Sequence, residues 1–222
     1  VSAYTIDERN PGFLPVSPLN FADFQEANQV FTAMGSYGFA PVTMMIGPEP
    51  NSIQCELVSG NFFDLLGLKP ALGRTFRPDE YRTSGSAPVI VLNHSFWTTR
   101  LNADPGAIGR TYLVNGHGHT VIGVMPAGFR GLNTFNNPAF WVPSTMHDQI
   151  YTGLLRGFYT ERRALIWNVF ARLKPGVPLA QAEAGLKPVA AQLAQHPPAA
   201  NPRRPPPPLP RPRATTRPTF PP

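Results

Sequence analysis

An alternating strand that runs directly into a tight helical corner is the feature that most constrains this chain. Residues 53–58, Ile-Gln-Cys-Glu-Leu-Val, alternate in hydropathy with a period of two, which predicts a half-buried β-strand. In the corner at 59–76, Phe62 and Phe63 begin a short apolar helix, and Gly67 stands where helices commonly end in a left-handed residue. The corner carries no recognisable phosphate-binding or proton-transfer motif. We therefore predict a rigid structural element anchored by two buried phenylalanine rings.

The rest of the chain mixes short strand and helix patterns. Asn115-Gly116, between two apolar runs, is the strongest hairpin signal in the sequence. Pro188 lies inside the last helical pattern, where proline costs about 3 kcal/mol, so a kink or a break is expected there. The predicted strands are 39–46, 88–92, 110–114, 120–124, 139–142 and 167–173, and the predicted helices are about 20–33, 95–102 and 179–195. Together these patterns predict an α+β fold, with mixed sheets and flanking helices.

The positive charge of the chain is concentrated near its end. The net charge is +6 over 222 residues, but setting aside the five arginines beyond residue 200 leaves +1. A protein that reads nucleic acid needs a basic stripe on its folded surface, so this distribution argues against a nucleic-acid partner. Residues 197–222 are rich in Pro and Arg and cannot form a core, which predicts a disordered or polyproline II tail.

Few residues are candidates for metal binding or redox chemistry. The single cysteine, Cys55, excludes an intramolecular disulfide and is expected to be a small buried residue of its strand. His117 and His119, two apart on a strand, would point the same way, and His94 or His147 could add a third ligand. The same pattern is typical of a solvent-exposed hairpin tip, which is the interpretation we favour.

Catalytic motifs are absent from the sequence. It contains neither a P-loop nor a nucleophile elbow, and the neighbours His94 and Ser95 would point in different directions on a helix. Arg74 and Arg110 are each expected to bind a nearby backbone carbonyl or aspartate, the alternative being a salt link to a partner. We therefore predict no catalytic, cofactor-binding or metal site, and a protein that is not an enzyme.

Seven short motifs, each weak alone, occur together in an order that identifies a family. They lie at 17–24, 58–76, 89–97, 109–116, 121–126, 141–143 and 171–177. In this order they resemble the periplasmic core domain of MacB/FtsX-type ABC-transporter permeases, over residues 1–196. The resemblance implies a porter-like β-α-β part at about 1–100 and 165–196, with an inserted β-rich lobe at about 105–164. The Pro/Arg-rich tail departs from the family, in which a further strand and a membrane helix would follow.

The resemblance also implies a function. Such a domain stands on the periplasmic side of the inner membrane and, without catalysing a reaction, relays ATP-driven movement to substrate export or to an adaptor protein. The implied partners are an ABC ATPase subunit or domain, a periplasmic adaptor protein and a second copy in a homodimer. The sequence holds no run of about 18 apolar residues, so we expect a fragment separated from its membrane helices. The alternative is a stand-alone periplasmic module that binds a ligand or a peptide.

Overall fold

The computed structural model describes residues 2–3, 5–7, 10–133 and 136–194, which fall into two units. The described residues of Val1–Ser36 and Gly157–Pro222 form the first unit, and those of Tyr37–Arg156 form the second. The Pro/Arg-rich tail predicted at 197–222 lies outside the described residues. The division into a porter-like part and an inserted lobe stays a prediction.

Eleven strands and five helices are assigned within the described residues. The strands are β1 (Ser2–Ala3), β2 (Thr5–Asp7), β3 (Asn10–Leu14), β4 (Phe31–Ile46), β5 (Glu49–Val58), β6 (Leu72–Gly73), β7 (Val89–Leu92), β8 (Thr111–Val114), β9 (His117–Val124), β10 (Phe140–Pro143) and β11 (Asn168–Leu173). The helices are α1 (Pro18–Glu26), α2 (Phe62–Leu66), α3 (His94–Arg100), α4 (His147–Ile150) and α5 (Leu179–Ala194). Short 3₁₀ turns occupy Pro78–Tyr81, Pro105–Ala107, Ser144–Met146 and Gly153–Thr160.

The first unit packs α1 and α5 into one apolar cluster. Strand β11 lies between β1 and the start of β4, while β2 and β3 form a separate hairpin. The Trp167 ring meets Phe21 of α1 edge-on at 5.5 Å and Tyr159 at 5.4 Å. The buried members of the cluster are Val16, Phe21, Phe31, Met34, Trp167, Val169, Ala171, Ala182 and Leu186. Thus α1 buries Phe21, and α5 buries Ala182 and Leu186, in this cluster.

The first helix is shorter than its apolar pattern predicts. It ends at Glu26 rather than near residue 33, and Phe31 already belongs to β4. The side chain of Asn28 accepts hydrogen bonds from the amides of Val30 and Phe31, at 3.1 and 2.8 Å. Such local bonds give the backbone an alternative to the next helical turn, so the chain turns into a strand instead. The last helix, by contrast, continues without a break past its internal proline.

The sheet of the second unit closes into a ring of six strands. Strand β5 pairs antiparallel with β4 and parallel with β10, and β10 pairs antiparallel with β7. Strand β9 pairs parallel with β7 and antiparallel with β8, and β8 meets β4 again at Met44 and Val114. The predicted strands at 53–58 and 88–92 thus share one sheet, with β10 between them.

The helical corner is built as the sequence predicts. Phe62 and Phe63 are 0% and 1% exposed, and Gly67 ends α2 in the left-handed conformation with φ at 71°. The Phe63 ring packs edge-on against Trp141 at 5.7 Å and lies 5.5 Å from Phe76. The corner is therefore fixed to the ring of six strands through β10, which carries Trp141.

Candidate functional site

Among the described residues, one Ser–His–Asp grouping bears some likeness to a catalytic triad. The Ser84 hydroxyl lies 3.4 Å from His147 Nε2, and His147 Nδ1 lies 3.1 Å from a carboxylate oxygen of Asp148. The hydroxyl, however, donates to the backbone carbonyl of Thr145 at 3.1 Å, and the amide of Gly85 donates to that same carbonyl. The serine proton is thus directed away from the imidazole, and the adjacent amide is not available to stabilise an oxyanion. This geometry does not support hydrolysis.

The two histidines near the hairpin are separated by burial. His117 is exposed, but His119 is completely buried, so the prediction that both stand at an exposed tip is wrong for His119. It shares its side of β9 with the buried Val121, and burial lowers the pKa of its imidazole below the ordinary value. Nδ1 of His119 lies 3.1 Å from the carbonyl oxygen of His117. Within the described part of the chain, no three His, Cys, Asp or Glu side chains are grouped to hold a metal ion.

The remaining candidates make local contacts. Cys55 is fully buried, as predicted, and burial raises the pKa of its thiol. Arg110 forms an ion pair with Asp104 at 3.0 Å, and Arg74 donates hydrogen bonds to both carboxylate oxygens of Glu80 at 2.7 and 2.6 Å. The predicted local role of both arginines is confirmed: Arg74 also donates to the backbone carbonyl of Thr75 at 3.1 Å, and its acidic partner is a glutamate rather than an aspartate.

A buried glutamate is the ionisable group that sequence reasoning missed. Glu56 is 0% exposed, and one of its carboxylate oxygens accepts a hydrogen bond from the indole Nε1 of Trp141. The other oxygen has no hydrogen-bond partner among the described residues. Burial raises the pKa of Glu56 to about 8. The available signal was its position beside Cys55, Leu57 and Val58, where a polar residue interrupts an apolar strand end.

Two hairpin turns meet at one end of the ring. The turn at Gly47 joins β4 to β5, and the turn at Asn115 and Gly116 joins β8 to β9. The contact of Met44 with Val114 brings both turns to the same end, which we name the hairpin end and define as residues 46–51 and 113–118. Most of this surface is open to solvent: Gly47, Pro48, Glu49, Pro50, Leu113, Gly116 and His117 are exposed.

Asn115 fixes the geometry of the hairpin end. Its φ of 49° and the 83° of Gly116 are those of a two-residue type I′ turn, so the predicted hairpin is confirmed. The backbone amide and side-chain oxygen of Asn115 bind the carbonyl and amide of Thr43, at 2.8 and 2.9 Å. Its side-chain nitrogen donates to the carbonyl of Ile150, at the end of α4, at 3.0 Å. One side chain thereby joins two hairpins and a helix, while Gly116 and His117 beside it remain exposed.

Comparison of the sequence with profiles of known families identifies the family of this chain. The sequence profile of the MacB-like periplasmic core domain matches residues 3–189. The chain belongs to this family, whose members are periplasmic domains of ABC-transporter permeases. The family resemblance identified in the sequence is therefore confirmed.

Individual relatives agree with the family assignment. The chain is similar, at 31% identity over 133 residues, to the macrolide export ATP-binding/permease protein MacB of Burkholderia thailandensis. That match covers 59% of this chain but only 19% of the relative, so the chain spans about a fifth of its length.

Solved structures share the fold at low sequence identity. The periplasmic region of MacB from Actinobacillus actinomycetemcomitans is similar with a TM-score of 0.65 and 16% identity, over 86% of this chain and 82% of that one. The extracellular domain of the noncanonic ABC-type transporter YknZ from Gram-positive bacteria has a TM-score of 0.61 and 14% identity, over 87% and 91%. The predicted α+β, porter-like fold class is confirmed. Within the described residues, no helix combines the length and apolar character needed to cross a membrane.

Proposed function

We propose that this chain is a non-catalytic relay on the periplasmic side of the inner membrane. It passes movement, driven by ATP hydrolysis in an ABC ATPase subunit or domain, to substrate export or to a periplasmic adaptor protein. A second copy completes a homodimer in the transporter. Because a related protein is named for macrolide export, a macrolide is the first transported compound to use as a probe.

The closure of the ring by Asn115 is the observation that supports this proposal most. A relay must keep its shape when it is pushed, and packed interiors transmit strain because they are poorly compressible. In the second unit each ring strand is hydrogen-bonded on both sides along part of its length, and Asn115 ties the last junction to Thr43 and Ile150. Such a body suits rigid movement between two attachments.

The hairpin end is the proposed contact surface for the adaptor. Its two turns are short and held by Asn115, so the partner would meet a preformed surface rather than order one. The exposed side chains there include a single carboxylate, Glu49, and a single imidazole, His117. We therefore expect recognition by shape and backbone groups more than by charge.

The absence of catalysis is tested on the purified 222-residue chain. Titration with labelled ATP and a screen of esterase, phosphatase and peptidase substrates should show neither saturable binding nor turnover. Turnover that is lost in Ser84→Ala or His147→Ala would instead show that the Ser–His–Asp grouping is a hydrolytic site. Saturable binding of peptides or small ligands by the chain alone would favour the stand-alone binding module.

A further inference from the structure

A short loop covers the buried carboxylate of Glu56. The loop at residues 126–133, which we name the Phe129 loop, follows β9. Phe129 is 3% exposed, and its ring lies 5.1 Å from Trp141 and 6.3 Å from Phe63. Its neighbours Gly128 and Arg130 are exposed. Phe129 thus anchors the loop against the aromatic side chains, while its two sequence neighbours face solvent.

Gly131 places the backbone of this loop directly against the carboxylate. Its φ is 92°, and a Cβ built on it would lie 3.1 Å from an oxygen of Glu56 and 3.8 Å from the carboxylate carbon. Gly131 itself is half-buried, so the loop is the layer between Glu56 and water at this point. A change in the charge of the carboxylate would therefore act directly on this backbone.

The surroundings of Glu56 suit a neutral acid and not an ion. A carboxylate normally accepts several hydrogen bonds or pairs with a cation when it is buried. Within the described residues, Glu56 has the single donor Trp141 and forms no ion pair. The pKa values of two nearby titratable groups, Tyr37 on β4 and Cys55 on its own strand, are raised by burial first and by Glu56 second, so both are disfavoured as anions. Arg130 is the charged residue of the loop, and it is exposed.

We propose that Glu56 is a protonation switch for the Phe129 loop. When the Glu56 carboxyl is protonated, the Phe129 loop lies against the ring of strands. When the carboxylate is ionised, the loop is released and water can reach the charge. The hydrogen bond from Trp141 remains in both forms, because the indole can donate to either. This device belongs to the second unit itself and does not depend on the relay function.

The direct test is hydrogen–deuterium exchange of the Phe129 loop, with each rate divided by the intrinsic rate at the same pH. In the full chain, protection of residues 127–133 should fall about tenfold or more between about pH 6 and about pH 9.5, because that interval spans the ionisation of Glu56. Glu56→Gln, which resembles the protonated acid, should keep its protection throughout. Glu49→Gln, an exposed glutamate on the same strand, should behave like the unmodified chain. An equal loss of protection in Glu56→Gln would overturn the proposal. So would a loss of protection in the unmodified chain that is spread evenly over β5 and β10.

A second pair of variants tests the loop without altering Glu56. Gly131→Ala and Gly128→Ala introduce the same methyl group at nearly the same φ, 92° and 90°, but only the first meets the carboxylate. At about pH 6, where Glu56 is protonated, Gly131→Ala should lower the protection of the loop well below that of Gly128→Ala. Equal protection in the two variants would contradict the close approach that the switch requires.

The indole resonances give a readout without any mutation. The Nε1 proton signal of Trp141 should shift with pH, because its acceptor ionises, with a midpoint near 8. The indole of Trp97 donates to the backbone carbonyl of Asp104 and should not follow that titration. A Trp141 signal that stays constant across this range would also overturn the proposal.

Discussion

Trp141 and Glu56 stand directly opposite each other on the parallel strands β10 and β5, and the indole N–H donates to the carboxylate at 2.5 Å. The pair lies at the junction of the helical corner and the ring, because Phe63 packs on the same tryptophan. The buried carboxylate of Glu56 and the packed aromatic rings of Trp141 and Phe63 therefore lie at the same place in the second unit. The stability of the second unit should depend on both.

Glu56→Gln should make folding less sensitive to pH. The folded pKa of about 8 lies above the ordinary 4.5, so the folded state retains a proton that the unfolded state releases in this interval. The stability associated with Glu56 is complete below pH 4.5 and is lost as the pH rises toward 8. At about 1.4 kcal/mol per pKa unit, the wild-type chain should lose on the order of 3 kcal/mol by about pH 7 through this group.

The measurement is urea unfolding at several pH values for the wild-type chain, Glu56→Gln and the exposed control Glu49→Gln. Glu56→Gln should gain stability relative to the wild-type chain as the pH rises through this interval. Parallel pH profiles for all three chains would refute the assignment.

His119 should weaken the protein in acid. Burial lowers the folded pKa of its imidazole below 6.5, so the unfolded state binds the proton more readily. Stability is then present at pH values above 6.5 and is lost as the pH falls from there toward the folded pKa. His119→Gln should reduce this acid loss in thermal melts, and His117→Gln, at the exposed neighbour, should reduce it far less, because burial is the largest cause of the lowered pKa. An acid loss of the same size in both variants would count against a buried neutral His119.

Phe63→Ala should be strongly destabilising. The ring is 1% exposed and packs against four other aromatic rings, and truncating such a side chain costs about 3–5 kcal/mol. Leu113→Ala is a suitable control because Leu113 is 47% exposed, and it should change the free energy of unfolding by about 0.5 kcal/mol or less. Equal denaturation midpoints for the two variants would reject Phe63 as the anchor of the corner.

Asn115→Gly should weaken the closure of the ring without straining the turn. Glycine adopts the positive φ of this position freely and keeps the backbone bond to the Thr43 carbonyl, but it loses the side-chain bonds to the Thr43 amide and the Ile150 carbonyl, which should cost about 1–3 kcal/mol. Asn102→Gly is a matched control, since Asn102 has a φ of 54° and is exposed. Chemical denaturation of the two variants compares them directly, and an equal effect would show that the Asn115 side chain does not stabilise the closure.

Local signals in the sequence predicted the parts of the fold that local geometry decides. Asn115-Gly116 specifies its turn because both residues tolerate a positive φ, and Gly67 ends its helix for the same reason. The end of α1 was predicted wrongly because the apolar spacing continues through Asn28, while the hydrogen bonds of that side chain favour a turn.

The burial of ionisable groups could not be predicted in the same way. Glu56 occupies a polar position of an alternating pattern, and such positions normally face solvent in a strand with one covered side. It is buried because β5 lies between β4 and β10 and because the Phe129 loop covers it, and both facts depend on distant parts of the chain. His119 was mispredicted for the same reason, since strand pairing, rather than its distance from the turn, determines its exposure.

The central claim, that this domain couples ATP hydrolysis to export, is tested most directly by the number of substrate molecules exported per ATP hydrolysed. The measurement uses proteoliposomes containing a transporter that carries this chain as its periplasmic domain, with a macrolide as the probe. Asn115→Gly should lower this ratio while ATP hydrolysis continues, and Asn102→Gly should leave the ratio unchanged. An unaltered ratio in Asn115→Gly, in protein shown to be folded, would contradict the relay.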